Sequence, residues 1–365
     1  MANVKTVLII AAATIGSGVF ALPYLFETAG WALCLLYYLI WAAVVIGAQA
    51  VYLKTLEAVD ERERLLGLAR KYFGRFGFWV GFFAIVVGLL LSFVIFLLLG
   101  SQFVHLLLPQ VVGYWPLAIF WFLISVPVLL RDRRATNFEM VGVVCVAALI
   151  LFIFIASRWS VALRPAPPLI TANYFLPLGI ILFTLAGWTG VEPVFETRSR
   201  GQGTRNKEIA SLAIGTILAV MLYILFTVGI LNSAPQVVPD TISGLVSWPV
   251  WKKDLVALVG LVALWTVSMP IAHEIRNALE KDLKWNPVSS KLVIIGLPLA
   301  VVLSGLNNFL TVLGFAGGVF ISIQYLLIVA VGRKTLRLSQ AQKALLDVAA
   351  LVFLVAAVYS VYAFI

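Results

Sequence analysis

The sequence predicts an all-α integral membrane protein with eleven transmembrane helices, built as a 5+5 inverted repeat in which helices 1 and 6 are broken. Its 365 residues are 62% hydrophobic and only 12% charged, with a mean hydropathy of +1.06. A soluble domain of this size cannot hide so much apolar surface. Most apolar stretches reach the roughly 20 residues that a membrane helix needs, and they lack the alternation of a membrane barrel.

The predicted spans follow one another through short polar connections. Their approximate ranges are 4–29, 31–54, 77–105, 114–130, 138–157, 174–198, 207–231, 254–276, 290–304, 307–331 and 344–363. The first repeat takes residues 1–160, the second takes residues 170–332, and residues 343–365 form an additional helix. Between spans two and three, residues 56–73 have the apolar periodicity of an amphipathic helix, which we expect on the inner membrane surface. The outer loop 232–253 is either a partly structured lid or an ordinary interfacial loop.

Basic residues set the orientation of these spans. If the spans alternate, all but four of the 26 Lys and Arg residues lie on the side of the amino terminus. The exceptions are Arg158, Arg164, Lys252 and Lys253. The positive-inside rule then predicts a cytoplasmic amino terminus and an outside carboxyl terminus in the cell (inner or plasma) membrane. The same rule explains the net charge of +10, so the bilayer is the expected partner and nucleic acid is not.

Spans one and six share an interrupted pattern. Span one contains Gly16-Ser17-Gly18 before Pro23, and span six contains Ala186-Gly187-Trp188-Thr189-Gly190 before Pro193. Five spans separate the two starts, and because five is odd the second copy is inverted. Paired Gly- and Pro-interrupted segments indicate a transporter with its binding site at mid-membrane.

These interruptions have a direct physical reading. Glycine lowers helix propensity by about 1 kcal/mol, and proline removes a backbone donor. An unwound segment frees N–H and C=O groups, each costing several kcal/mol in lipid, and a bound zwitterion can satisfy them. The alternative is close helix packing through Gly16 and Gly18.

Other functional classes lack support in the sequence. The two Cys and two His residues are widely scattered, so neither a metal cluster nor a catalytic set is predicted, and an enzyme is not expected. No nucleotide-binding motif is present, so no cofactor is expected and an ion gradient of H⁺ or Na⁺ is the default energy source.

The stretch from Gly16 to Pro23 resembles the first-helix signature of the amino acid–polyamine–organocation (APC) superfamily. Gly30-Trp31 and the stretch from Leu182 to Glu196 are similar to its amino acid/auxin permease branch. The resemblance implies a LeuT-type fold and secondary transport of amino acids. It also implies a substrate site that includes backbone at Gly16, Ser17 and Gly18, carbonyls near Phe183, Thr184 and Ala186, a pocket shaped by Trp188, and a wall from span three near Gly88, Ser92, Phe93 and Phe96.

The resemblance implies two coupling routes. A Na⁺ site would use the carbonyls of Ala12 and Ile15 with Ala263 and Thr266 of span eight, although only Thr266 offers a hydroxyl. Alternatively, the intramembrane carboxylate of Glu192 carries a proton, unless it is paired with an arginine such as Arg198.

The expected function is therefore H⁺- or Na⁺-coupled transport of a neutral or hydrophobic amino acid by a monomer working through alternating access. The rival is an amino-acid-sensing receptor on the same fold, similar to a germination receptor, without net transport.

Overall fold

The computed structural model describes residues 3–59, 64–129, 135–157, 174–198, 205–234 and 236–364, and the regular elements within them are helical. The α-helices are α1 (Val4–Thr14), α2 (Leu22–Ala29), α3 (Trp31–Val59), α4 (Leu65–Leu107), α5 (Trp115–Leu129), α6 (Ala135–Ala156), α7 (Leu176–Thr184), α8 (Val191–Arg198), α9 (Arg205–Ser233), α10 (Val250–Asn277), α11 (Pro287–Leu303), α12 (Phe309–Phe315), α13 (Ser322–Thr335) and α14 (Gln340–Phe364). A π-helical turn, Ala316–Ile321, joins α12 to α13.

Length and composition identify the membrane-crossing helices. Within the described residues, seven helices are long and apolar enough to cross a membrane, or eight if the bent pair α1 and α2 is one span. Shorter apolar helices lie at Trp115–Val126, Val144–Ala156 and Pro287–Leu303. Large apolar side chains such as Leu39 and Tyr362 are 71% and 80% exposed, as expected of a surface that faces lipid. The count of eleven spans and the 5+5 inverted repeat stay predictions.

Both predicted interruptions are present. Helix α1 ends at Thr14, the backbone is extended at Ile15 and Gly16, and a 3₁₀ turn, Ser17–Ala21, leads into α2 at a bend of 54°. Helix α7 ends at Thr184, and a 3₁₀ turn, Gly187–Gly190, leads into α8. Pro23 lies in the first turn of α2, where its missing N–H costs nothing, so it starts a half-helix rather than clashing with one.

The bounds expected for the amphipathic helix, residues 56–73, are wrong. Helix α3 continues to Val59, and a shorter helical segment begins at Leu65 and ends in a turn at Gly74, whose φ of +64° suits glycine. Leu65 and Leu68 are 1% and 0% exposed, so the apolar face of this segment packs on the protein, and its place at the inner membrane surface stays a prediction. Lys334 of α13 holds its end by donating to the Tyr72 carbonyl at 2.9 Å.

The helices enclose the two interruptions. Helix α1 packs chiefly against α9, α10 packs against α6 and α4, and α13 packs against α14, α3 and α4. The outer loop folds back onto the first interruption, because the buried Thr241 hydroxyl donates to the Phe20 carbonyl. Its 3₁₀ turn, Ile242–Ser247, buries Ile242 and Leu245, so this part of the loop is structured, and its role as a lid stays a prediction.

Candidate functional site at the helix interruptions

The two interruptions touch each other. A Cβ atom on Gly18 would lie 2.8 Å from Thr184 Cγ2 and 3.1 Å from Phe183 Cδ1, so only glycine allows this approach. A Cβ atom on Gly190 would similarly lie 2.8 Å from the Cβ of Ala13. Gly18 therefore serves the close packing that the sequence left open as an alternative to substrate binding.

Gly16 and Ser17 have different surroundings from Gly18. No atom lies within 4 Å of the position that a Cβ on Gly16 would take, so this backbone faces open space. The Ser17 hydroxyl is 3% exposed and has no hydrogen-bond partner among the described residues. The first N–H groups of the following helical turn also lack partners within the helix. This combination of an unpartnered hydroxyl, helix-start N–H groups and adjacent space suits a carboxylate ligand.

Buried tyrosines hold the carbonyl groups at the ends of the half-helices. The Tyr223 hydroxyl of α9 donates to the Thr14 carbonyl at 2.7 Å and lies 3.1 Å from the Thr184 carbonyl, so it joins both interruptions. Tyr325 of α13 donates to the Leu185 carbonyl at 3.1 Å. Tyr38 of α3 shares a 3.1 Å hydrogen bond with the Thr184 hydroxyl. Sequence reasoning missed these residues, although a tyrosine hydroxyl inside an apolar span signals a buried polar partner.

The predicted amino-group site is only partly open. The Tyr223 hydroxyl, which donates to the Thr14 carbonyl, also lies 3.1 Å from the Thr184 carbonyl oxygen, which keeps lone pairs for another donor. Ala186 is half-buried in the unwound segment, with a ψ of 50° that takes it out of the helix. Phe183 lies against Gly18. The roles of these three residues in substrate binding stay predictions.

Aromatic side chains surround the second half of the first interruption. The Phe20 ring packs edge-on against Phe103 of α4 and Phe226 of α9, with centroids 5.4 Å and 5.5 Å away. On α4, Phe93 and Phe96 are buried with centroids 6.0 Å apart. The predicted wall residue Ser92 is 6% exposed, and its hydroxyl donates to the Gly88 carbonyl of its own helix at 3.2 Å.

Trp188 belongs to the 3₁₀ turn of the second interruption and contacts α13 and α3. It is 2% exposed, and its indole N–H donates to Gln324 of α13 at 2.6 Å. Gln324 in turn donates to the Ala84 carbonyl of α4 at 2.9 Å. The Trp188 ring also lies 6.2 Å from that of Tyr52, on the side of Glu192 rather than of Phe20. Its predicted contribution to the substrate pocket stays a prediction.

Tyr52 and Arg64 both hold the Glu192 carboxylate. The Tyr52 hydroxyl donates to Glu192 Oε1 at 2.6 Å, and Arg64 Nε lies 3.8 Å from Glu192 Oε2. Arg64 also donates to Glu274 Oε2 at 2.6 Å. Burial lowers the pKa of Arg64, but the neighbouring carboxylates of Glu274 and Glu192 raise it by more. The pKa is therefore raised overall, and the guanidinium stays charged. The arginine partner considered from the sequence, Arg198, has a side chain outside the described residues, and the partner found is Arg64.

The four predicted Na⁺ residues are all buried, with Ala12, Ile15, Ala263 and Thr266 between 1% and 5% exposed. The Thr266 hydroxyl donates to the Ala263 carbonyl of its own helix at 2.9 Å and keeps lone pairs for a cation. The predicted site joins the end of α1 to α10, but each of these helices packs chiefly against others: α1 against α9, and α10 against α6 and α4. Within the described part of the chain, no cluster of three His, Cys, Asp or Glu residues could hold a metal ion. The Na⁺ site stays a prediction.

Comparisons with known proteins agree with this arrangement. The tryptophan/tyrosine permease family model matches residues 2–243. No curated protein matches the chain. The structure of MhsT in complex with L-phenylalanine is 15% identical with a TM-score of 0.70, and the match covers 100% of this chain and 99% of that one. The manganese transporter of Eremococcus coleocola, solved with an aromatic bis-isothiourea substituted compound, is 13% identical with a TM-score of 0.68, covering 98% of this chain and 86% of that one.

The structural matches show a LeuT-type fold, and permease membership indicates a multi-pass secondary transporter rather than an enzyme. The narrower resemblance to the amino acid/auxin branch stays a prediction. Since the family model spans well over half of its length, the chain belongs to the tryptophan/tyrosine permease family.

Proposed function

We propose that the protein is a secondary active transporter of an aromatic L-amino acid, with tryptophan or tyrosine as the first candidates. The observation that carries this proposal is the pair of touching interruptions, with an unpartnered Ser17 hydroxyl and open space beside Gly16. The N–H groups there suit the substrate carboxylate, and the carbonyls near Thr184 suit its ammonium group.

The substrate side chain is aromatic in this proposal. The family description names tryptophan and tyrosine, and a structural neighbour was solved with L-phenylalanine. The buried rings of Phe20, Phe103 and Phe226 pack edge-on against one another, so an aromatic cluster lies beside the first interruption. The proposal therefore narrows the sequence-based expectation from a neutral or hydrophobic substrate to an aromatic one.

Alternating access and an inverted repeat belong to the same proposal. Each interrupted helix has the order helix, unwound residues, 3₁₀ turn and second half-helix, with a proline near the start of the second half. Transport is driven by a H⁺ or Na⁺ gradient, with Glu192 or the Thr266 region as the coupling group. The protein acts in the cell membrane as a monomer, with its amino terminus in the cytoplasm.

A thermal-unfolding screen of the purified protein tests the substrate assignment. L-Tryptophan, L-tyrosine and L-phenylalanine should raise the apparent Tm, because a ligand that binds only the folded state stabilises it by about 2.7 kcal/mol at 100 times its Kd. Two matched controls accompany the screen. D-Tryptophan tests the configuration at the α-carbon, and indole tests the need for the carboxylate and ammonium groups. Repeating the screen with and without Na⁺ at two pH values tests the coupling ion. Stabilisation by none of the twenty amino acids would overturn the assignment.

A further inference from the structure

A single arginine joins two helices that are distant in the chain. Arg64 immediately precedes α4, and its Nη1 atom lies 2.6 Å from Glu274 Oε2 on α10. Its Nε atom lies 3.8 Å from Glu192 Oε2 on α8. Neither carboxylate belongs to the helix that follows Arg64, so the guanidinium bridges α8 and α10.

The bridge is partly shielded from solvent. The side chains of Arg64, Glu192 and Glu274 are 39%, 17% and 26% exposed. Partial burial weakens screening by salt, so these pairs contribute more than fully exposed ones. Tyr52 of α3 holds the second oxygen of Glu192 at 2.6 Å, which fixes the direction of that carboxylate.

A continuous column of side chains connects this bridge to the second interruption. Trp188 precedes Glu192 by four residues, and its ring lies 6.2 Å from the Tyr52 ring. The Trp188 indole is fixed by Gln324 at 2.6 Å. The column therefore lies between the interruption and Arg64, at the end that the positive-inside rule places in the cytoplasm.

We propose that Arg64 is a latch that closes the cytoplasmic end of the transport path by holding α8 to α10. Release of the guanidinium lets the cytoplasmic end of α8 separate from that of α10. The latch rests on the proposed transport function, because only a transporter needs this end to open.

The distances from Arg64 to Glu274 and to Glu192 indicate which of the two contacts, or ties, is the stronger. The Arg64–Glu274 contact is a short, charge-assisted hydrogen bond, whereas the Arg64–Glu192 contact at 3.8 Å is a longer ion pair. Loss of Glu274 should therefore release the latch more than loss of Glu192, which Tyr52 also holds. Removal of Arg64 should release both ties.

Distance measurement between spin labels tests the latch directly. The labels are placed by Phe195→Cys, a half-buried position on α8, and Trp285→Cys, an exposed position after α10, in a protein whose Cys34 and Cys145 are replaced. Without substrate, double electron–electron resonance should give a short distance between the two labels in the parent protein. The distribution should move to longer distances in Arg64→Ala, nearly as far in Glu274→Gln, and less in Glu192→Gln.

Arg333→Ala is the matched control. It breaks the Arg333–Asp347 pair, whose 3.1 Å contact joins α13 to α14 without touching α8 or α10, so the distance should stay unchanged. The charge swap Arg64→Glu with Glu274→Arg should return the short distance that Arg64→Glu alone loses. The latch is overturned if Arg64→Ala and Glu274→Gln both keep the parent distance, or if the swap stays at the longer distance.

The same variants separate failure of the latch from failure of the transport proposal. Amino acid binding is followed in each by the shift in apparent Tm. If the labels respond as expected but no amino acid binds, Arg64 still holds α8 to α10, but the transport proposal fails and the latch loses its role in transport. If an amino acid stabilises the protein but the labels do not respond, the latch alone fails.

Discussion

At the scale of single residues, the two glycines of the first interruption differ in what surrounds them. Gly18 lies against Thr184 and Phe183, whereas Gly16 faces open space. The family resemblance implies a carboxylate-binding role for both, and the sequence cannot separate them, because glycine is expected where helices pack closely and also where a ligand reaches the backbone. The neighbour that separates the two cases, Thr184, is 166 positions away in the chain.

Substitution of these glycines should give opposite results. Gly18→Ala places a methyl group 2.8 Å from Thr184 Cγ2, so it should lower stability by about 1–3 kcal/mol through overpacking. Gly16→Ala meets no atom within 4 Å, so it should keep the apparent Tm while weakening amino acid binding. Thermal unfolding with and without L-tryptophan measures both effects. Equal loss of stability in the two variants would contradict the assigned surroundings.

Tyr223 is the residue on which both interruptions depend. Tyr223→Phe removes the hydroxyl that lies 2.7 Å from the Thr14 carbonyl and 3.1 Å from the Thr184 carbonyl. Leaving a buried carbonyl unpaired costs about 1–3 kcal/mol, so the apparent Tm should fall. Tyr362→Phe, at an 80% exposed position, is the control and should have no effect. An unchanged Tm in Tyr223→Phe would show that these hydrogen bonds do not support the interruptions.

At the scale of elements, local sequence signals predict the interruptions but not their partners. Gly16, Gly18 and Gly190 mark where the helices unwind, because low helix propensity acts locally. Helical periodicity of residues 56–73 predicts an apolar face but cannot say whether protein or lipid covers it. The Arg64 partner of Glu192 was missed for the same reason, since it comes from a separate segment of the chain.

Helix α13 supports the second interruption through Gln324, so a substitution at this residue should destabilise the interruption. Gln324→Met keeps the volume of the side chain but removes partners of the Trp188 indole and the Ala84 carbonyl. Each unpaired buried group costs about 1–3 kcal/mol. The apparent Tm should fall and amino acid binding should weaken. Gln340→Met at the exposed start of α14 is the control; a fall as large there would count against a specific role of Gln324.

At the scale of the whole molecule, the distribution of Lys and Arg predicts which end faces the cytoplasm. Cysteines introduced at the exposed Ser339, between α13 and α14, and Ser243, in the outer loop, should lie on opposite sides of the membrane. In intact cells, an impermeant thiol reagent should label Ser243→Cys and should label Ser339→Cys only after lysis. Labelling of Ser339→Cys alone in intact cells would invert the orientation and place the Arg64 latch outside.

Counterflow in proteoliposomes tests the central proposal of transport most directly. Vesicles containing the protein and loaded with unlabelled L-tryptophan should accumulate radiolabelled L-tryptophan from outside, and Gly16→Ala should reduce that uptake. A receptor without transport would bind the amino acid but give no uptake above that of empty vesicles. Uptake at the level of empty vesicles, from protein that L-tryptophan stabilises thermally, would contradict transport and leave amino acid sensing as the function.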